Sequence, residues 1–244
     1  MSPRPKIFVV ALLAAVAVFV GGPWIYINVI REPAAVSFID QISATSTTAA
    51  GMAESSTTVE SQTTLTSAFS SLDEVAGVWN VGADSQVGYR VDEVLFGQNV
   101  TAIGRTTAVT GVIEIADTNV VTATFSADMT TVRSDEPKRD AQFESRIMDV
   151  INYPTATFTL ESPIKLDDSA VSTSVTHKAQ GSLTLRGKTK SVEVDIVSTI
   201  RGSRLVLAGQ ITIVFADWGI PNPSIPGIST EDSGVLEFQL NLDR

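Results

Sequence analysis

Leu236, Phe238, Leu240 and Leu242 alternate with Glu237, Gln239, Asn241 and Asp243 near the carboxyl end of this chain of 244 residues. A two-residue period of this kind belongs to a β-strand with one buried face. It recurs from about residue 77 onward. Val192, Val194 and Ile196 alternate with Glu193 and Asp195, and Ala156, Phe158 and Leu160 with Thr155, Thr157, Thr159 and Glu161. Ala123, Phe125, Ala127 and Met129 alternate with Thr122, Thr124, Ser126 and Asp128, Ile113 and Ile115 flank Glu114, and Leu183 and Leu185 flank Thr184. A first strand at 86–95 and a seventh at 204–215 bring the number to eight. The seventh is apolar on both sides, with Leu205, Leu207, Ile211, Ile213 and Phe215 facing one way and Val206, Ala208 and Val214 the other. Its outer face is therefore expected to be covered.

Turn signals separate these runs at Asp117-Thr118-Asn119, Asp167-Asp168, Arg186-Gly187-Lys188 and Arg201-Gly202-Ser203, as a meander of hairpins requires. The one long interruption, 134–152, offers Ser134 and Asp135 as N-caps and Pro137 for a first helical turn. Phe143 and Ile147 then fall on one face of a short helix. The expectation is an all-β fold, either a sandwich or a closed up-and-down barrel. Closure removes exposed edges, and an eight-stranded interior is either filled by side chains or holds one small ligand.

Ahead of the barrel, Ile7 to Ile30 is an uncharged apolar run of 24 residues, long enough to cross a hydrocarbon core of about 30 Å. A cleavable signal peptide is the competing reading, with Ala15-Val16-Ala17 as a formal site. Cutting there leaves apolar sequence from Val18 to Ile30, so a retained anchor is expected. Trp24 and Tyr26 suit the far interface. Arg4 and Lys6 precede the run, and after Arg31 the next basic residue is Arg90. The positive-inside rule then puts residues 1–6 in the cytoplasm and the rest outside the plasma membrane, as on a bacterial surface. Residues 43–71 hold 16 Ser or Thr among 29, too little apolar surface to offset the entropy of ordering. The segment 31–76 is read as a flexible linker of roughly 35 to 40 Å reach, followed by the barrel domain 77–244.

Composition excludes much chemistry. With no cysteine and one histidine, His177, the chain has no disulfide framework, thiolate nucleophile or multi-histidine metal centre. A net charge of −10 argues against a nucleic-acid partner. Asp135 and Asp140 are separated by Lys138 and Arg139, which suits a capping and ion-pair network better than paired acid–base carboxylates. No serine elbow, phosphate loop or His-Glu-x-x-His occurs. The sequence supports a non-enzyme with no cofactor and no metal.

One set of residues goes further. Trp79-x-Val81, Ser85-x-x-Gly88-Tyr89-x-Val91, Thr110-Gly111-x-Ile113, Ser134-Asp135 with Arg139-Asp140, Tyr153-Pro154-x-Ala156-x-Phe158, Gly181-x-Leu183-Thr184-x-Arg186-Gly187-x-Thr189-Lys190 and Phe215-x-Asp217-x-Gly219-Ile220 occur in this order. From about Gly77 to Arg244 the chain resembles the YceI-like family. That resemblance implies a lipocalin-like eight-stranded barrel with a helix near its mouth, holding a long isoprenoid chain, in exported proteins that are often dimeric. Two departures stand out. Gly82-Ala83-Asp84 replace the family's Asp and His between Trp and Ser, and the anchor and linker are additions.

A chain moved from water into an apolar tunnel gains roughly 0.8 kcal/mol per buried CH₂. The expected lining is Tyr89, Val91, Ile113, Phe125, Met129, Phe158, Leu183, Phe215 and Phe238, with Phe143 and Ile147 closing the mouth and Ser134, Asp135, Arg139 and Asp140 bracing it. The leading expectation is a membrane-tethered extracytoplasmic protein that binds a long-chain isoprenoid or similar lipid. The rival is a filled barrel displayed on a stalk for adhesion or assembly, because the period of the strands alone fits a filled interior as well as a hollow one.

Overall fold

The computed structural model describes residues 34–42 and 67–244. A short helix, α1, covers 38–42, and a second, α2, covers Leu72–Val75. Next come β1 (Gly77–Val81), β2 (Gln86–Leu95), β3 (Gln98–Thr106), β4 (Val109–Ala116), β5 (Asn119–Asp128) and the two-residue β6 (Arg133–Ser134). Helix α3 (Pro137–Gln142) runs into a π-helical turn at Phe143–Ile147, followed by β7 (Thr155–Leu160) and β8 (Ile164–Lys165). The chain continues through β9 (Val175–Leu185), β10 (Lys188–Arg201), β11 (Arg204–Val214), helix α4 (Phe215–Trp218), β12 (Ile228–Thr230) and β13 (Ser233–Asp243).

Antiparallel pairing carries these strands round a ring. β1 pairs with β4 while β2 pairs with β3, so β1–β2 and β3–β4 are two long strands, each broken once. From β4 the order is β5, β7, β9, β10, β11, β13, and β13 pairs back onto both β1 and β2. The result is the expected all-β, eight-stranded up-and-down barrel. Its first long strand begins at Gly77, earlier than the predicted 86–95, because a break at 82–85 hides the continuity. Ser85 stitches that break: its Oγ donates to the Gly82 carbonyl (2.8 Å) and accepts from the Asn241 amide (3.0 Å). Buried backbone groups freed by a bulge need such partners.

The inserted helix forms where predicted, but its cap differs. Glu136, rather than Ser134 or Asp135, is the N-cap and accepts from the Lys138 amide at 3.2 Å, with Pro137 in the first turn. Ser134 is engaged elsewhere, with its amide and hydroxyl both donating to Asp140 Oδ1 at 2.8 and 2.6 Å.

Two apolar clusters lie along the barrel's length. One, at the end where β1 and the β10–β11 turn lie, packs Trp79, Ile113, Ile115, Leu205, Leu207, Leu240 and Leu242. Trp79 is fully buried and donates its indole N–H to the Val75 carbonyl at 2.9 Å. The other lies at the opposite end and gathers Val132, Phe143, Met148, Leu185, Ile211, Ile213, Phe215 and Trp218. Ile196 and Phe238 pack against both clusters.

The expected cover over β11 is supplied by residues ahead of the barrel. Phe38 and Ile42, 3% and 1% exposed, pack on Val197, Val206 and Ala208. Arg105 lies over the Phe38 ring at 4.1 Å, and the Ala35 carbonyl accepts from Arg90. Both arginines also grip Glu237, at 2.9 and 2.7 Å, leaving that carboxylate 1% exposed. At the opposite end, Leu72 and Val75 are buried and Arg244 donates to the Glu74 and Ala76 carbonyls. The linker reading of 31–76 is thus corrected at both its ends: 34–42 and 67–76 are attached to the barrel by apolar side chains that the Ser/Thr count did not weigh. Residues 43–66 lie outside the described residues, as does the apolar run 7–30. Among the described residues no helix is long and apolar enough to cross a membrane.

Candidate ligand-binding site

The barrel wall is shaped by aromatic rings laid over glycines. Tyr89 faces Gly104 across β2–β3, Phe125 faces Gly111 across β4–β5, and Phe238 faces Gly209 across β11–β13. In each pair a methyl group on the glycine would overlap the ring, and Phe158 stands in the same relation to Gly181. Glycine lets a neighbouring backbone or ring approach closely. These four rings hug the wall, and the lumen between them stays open.

The open space is a tunnel in two chambers. The outer one has a volume of about 660 Å³ and opens at the end occupied by α3 and the 221–228 loop. That size lies in the range of roughly 300 to 1,000 Å³ usual for small-ligand sites. A constriction of about 70 Å³ lies below it, and Val87, Ala156 and Leu236 line both. Of the residues expected to line a tunnel, Tyr89, Val91, Met129, Phe143, Ile147 and Phe215 lie on the outer chamber wall. Phe125, Phe158, Leu183 and Phe238 lie on the inner one. Ile113 belongs to neither. It is 4% exposed in the packed cluster beneath, because β4 reaches the closed end of the barrel. The strand period did not reveal Leu95, Phe96, Ile220, Pro223, Ile225 and Ile228, which form one side of the mouth. The signal for the last four was the run Ile220-Pro221-Asn222-Pro223-Ser224-Ile225-Pro226-Gly227-Ile228, a loop too apolar to be ordinary solvent-facing chain.

Charged side chains gather only at the mouth. Asp135 and Arg139 line the outer chamber with Glu93, Glu136 and Lys138. Arg139 bridges Asp135 on its own segment and Glu93 on β2, the latter at 3.8 Å. Ser134 and Asp140 hold each other behind the wall. Inside the mouth the Tyr89 ring stacks on Phe143, with centroids 5.2 Å apart and planes 16° from parallel. Burial pushes the Tyr89 phenol far above its ordinary value of 10.0; Arg139 opposes this, Asp140 and Glu93 add to it, and a hydrogen bond with Ser134 opposes it weakly. The group is a neutral hydroxyl at any physiological pH.

His177 sits on β9 at the barrel end opposite the mouth, half-buried, its Nε2 without a partner. Burial holds its imidazole below the ordinary 6.5, against the pull of Asp167. Among the described residues no cluster of His, Asp or Glu could hold a metal ion.

Residues 79–242 match the YceI-like domain family. The chain belongs to that family. Among solved structures it is similar to a polyisoprenoid-binding domain from Saccharophagus degradans implicated in plant cell wall breakdown. The two share 14% identity and a TM-score of 0.55 over 69% of this chain and 98% of that one. It is also similar to BcnA of Burkholderia cenocepacia, at 19% identity and a TM-score of 0.52 over 66% of this chain and 98% of the other. No curated protein matches the sequence.

Three of the YceI-like motifs, Tyr153-Pro154, the β9–β10 hairpin and Phe215–Ile220, converge at the mouth end, whereas Trp79 and Ile113 lie in the cluster at the closed end. Arg186 and Lys188 of the β9–β10 turn donate to the carbonyls of Gly219 and Asp217, and the Tyr153 ring rests against Gly187. Gly187, with φ 71°, turns the hairpin and leaves room for that ring. The hairpin, the Tyr-Pro strand and the α4 turn therefore brace one another around the open end.

Proposed function

We propose that this chain is a membrane-tethered, extracytoplasmic binding protein that holds a long-chain isoprenoid or similar lipid as a carrier, store or sensor. The observation that carries the reading is the two-chambered tunnel, open at one end, apolar along its depth and charged only at its rim. The tail would enter first, past Phe143 and Ile147, and reach the constriction between Phe125, Phe158 and Phe238. A polar headgroup would remain among Asp135, Lys138 and Arg139. No catalytic step is assigned. Burial supplies the affinity at roughly 0.8 kcal/mol per CH₂, so ten carbons are worth about 8 kcal/mol before association costs. A chamber of about 660 Å³ disfavours the filled barrel of an adhesion module. The apolar run 7–30, by its length and the basic residues before it, would anchor the protein with its barrel outside the cell.

Native mass spectrometry and organic extraction of the purified protein test this reading. A co-purifying lipid of defined mass is expected; a ligand-free barrel that takes up no added isoprenoid would overturn it.

A further inference from the structure

We propose that the rim of the barrel mouth is a bilayer-docking surface, whose partner is the apolar interfacial layer of the same membrane that anchors the chain. This rests on the lipid-binding and tethering readings above and adds to them where the ligand crosses.

Exposed apolar side chains are distributed unevenly. Nine large ones are exposed among the described residues: Val36, Val78, Val94, Phe96, Val121, Ile151, Tyr153, Val214 and Ile225. Val36 belongs to the segment docked on the barrel wall, and Val78 and Val121 lie toward the closed end. The other six sit at the mouth end: the β2–β3 tip, the loop before β7, the last residue of β11 and the 221–228 loop. Large apolar patches on a soluble surface mark interaction sites. Here two of the six, Phe96 and Ile225, line the opening of an apolar chamber.

Phe96 shows most clearly that the rim is built this way. It occupies a hairpin tip at φ 49°, a conformation unfavourable for a bulky residue, and is nonetheless 62% exposed. Its amide donates to the Gly227 carbonyl at 3.0 Å and its ring lies against Gly227, so the tip and the 221–228 loop form one ledge. Ile225, 39% exposed, is bridged to Ile228 on the same ledge.

Chain length brings this ledge to the membrane. The apolar run ends at Ile30, and Ala35 is bound to Arg90 on β2. Five residues span at most about 18 Å. From Arg90 to Phe96 along β2 is about 20 Å. The barrel is therefore held beside the bilayer, with its rim within reach of it, rather than swinging on the whole of the 31–76 segment. The domain's acidity calls for an apolar contact: a surface of 21 acidic and 14 basic residues from 77 to 244 gains nothing from anionic headgroups. A lipid can then pass from bilayer to chamber without crossing water.

The chain has no cysteine, so single-cysteine variants can be labelled cleanly. Full-length Phe96→Cys, Ile225→Cys and Ile151→Cys, with Val121→Cys as the far-end reference, would carry an environment-sensitive fluorophore in phosphatidylcholine vesicles. Quenching by nitroxide lipids should be at least twofold stronger at the three rim positions than at 121, iodide quenching weaker, and both unchanged at high salt. Iodide reaching rim and reference equally would overturn the proposal. So would a rim shielded from both quenchers, the result expected if a second copy of the chain covered it. Native mass spectrometry of the same samples separates the two levels: bound lipid with an aqueous rim removes only the docking claim, whereas absence of lipid and of lipid uptake in every sample removes the binding reading and this inference with it.

Discussion

Tyr89 lies over Gly104 of the neighbouring strand, directly opposite it in the β2–β3 register, where a methyl group would overlap the phenol ring. The same ring is stacked from its other side by Phe143 of the π-helical turn. Wall and mouth helix thus grip one aromatic residue between them. A fixed Tyr89 leaves the outer chamber open while joining the inserted helix to the barrel, so chamber shape and mouth geometry depend on the absence of a single side chain at 104.

Gly104→Ala should therefore force Tyr89 off the wall. Overpacking of this kind typically costs about 1 to 3 kcal/mol. Denaturant unfolding should show a loss in that range, and isoprenoid uptake should fall because the displaced ring enters the outer chamber. An unchanged midpoint with unchanged uptake would mean that the ring is not held as described.

Ala156 lines both chambers and is 6% exposed. Ala156→Leu should close the constriction while keeping the outer chamber. Short-chain isoprenoids should bind the variant as they bind the native protein, whereas longer chains should lose their advantage. Equal weakening across all chain lengths would place the ligand's depth limit elsewhere.

Glu237 is 1% exposed between Arg90 and Arg105, the residues that also hold the 34–42 segment. Removing one partner of a buried ion pair costs about 3 to 5 kcal/mol. With the arginines about one-fifth exposed, Glu237→Gln should fall at or below the low end, near 2 to 3 kcal/mol. Limited proteolysis should then cut within 34–42, as it should in Phe38→Ala. Resistance equal to that of the native chain would show that the segment is held by something other than this cluster.

His177 is held below its ordinary 6.5 by burial. A depressed histidine contributes stability that is present above the unfolded value and is lost as pH falls through the folded one. Compared with His177→Gln, the native protein should therefore lose thermal stability progressively below about pH 6.5, and the two melting profiles should run parallel above it. Parallel profiles down to pH 4 would contradict the assignment.

Much of this was legible in the sequence because inward and outward residues alternate cleanly in β5, β7, β10 and β13. The two-sided apolarity of β11 even foretold the cover that Phe38 and Ile42 supply. Where legibility failed, a local break was responsible. Gly82 to Ser85 interrupt the first strand, and Gly104 removes an inward side chain from β3, so β1 and β3 escaped notice although the strand count came out right. Ile113 shares the period of the lining residues but not their depth, and depth along a barrel axis is set by strand stagger, which no single strand encodes. The Pro- and Ile-rich ledge follows no period at all. Its role emerges only when β12 pairs with β2 and brings Ile225 and Ile228 beside Phe96.

The central claim is that affinity comes from burying a long apolar chain in the two-chambered tunnel. Its most direct test is the dissociation constant of residues 34–244 for isoprenoids of increasing length, measured at low and high salt. Each added pair of buried CH₂ groups should tighten binding by about tenfold until the tunnel is full, with little effect of salt. Affinity that is independent of chain length and collapses at high salt would contradict it.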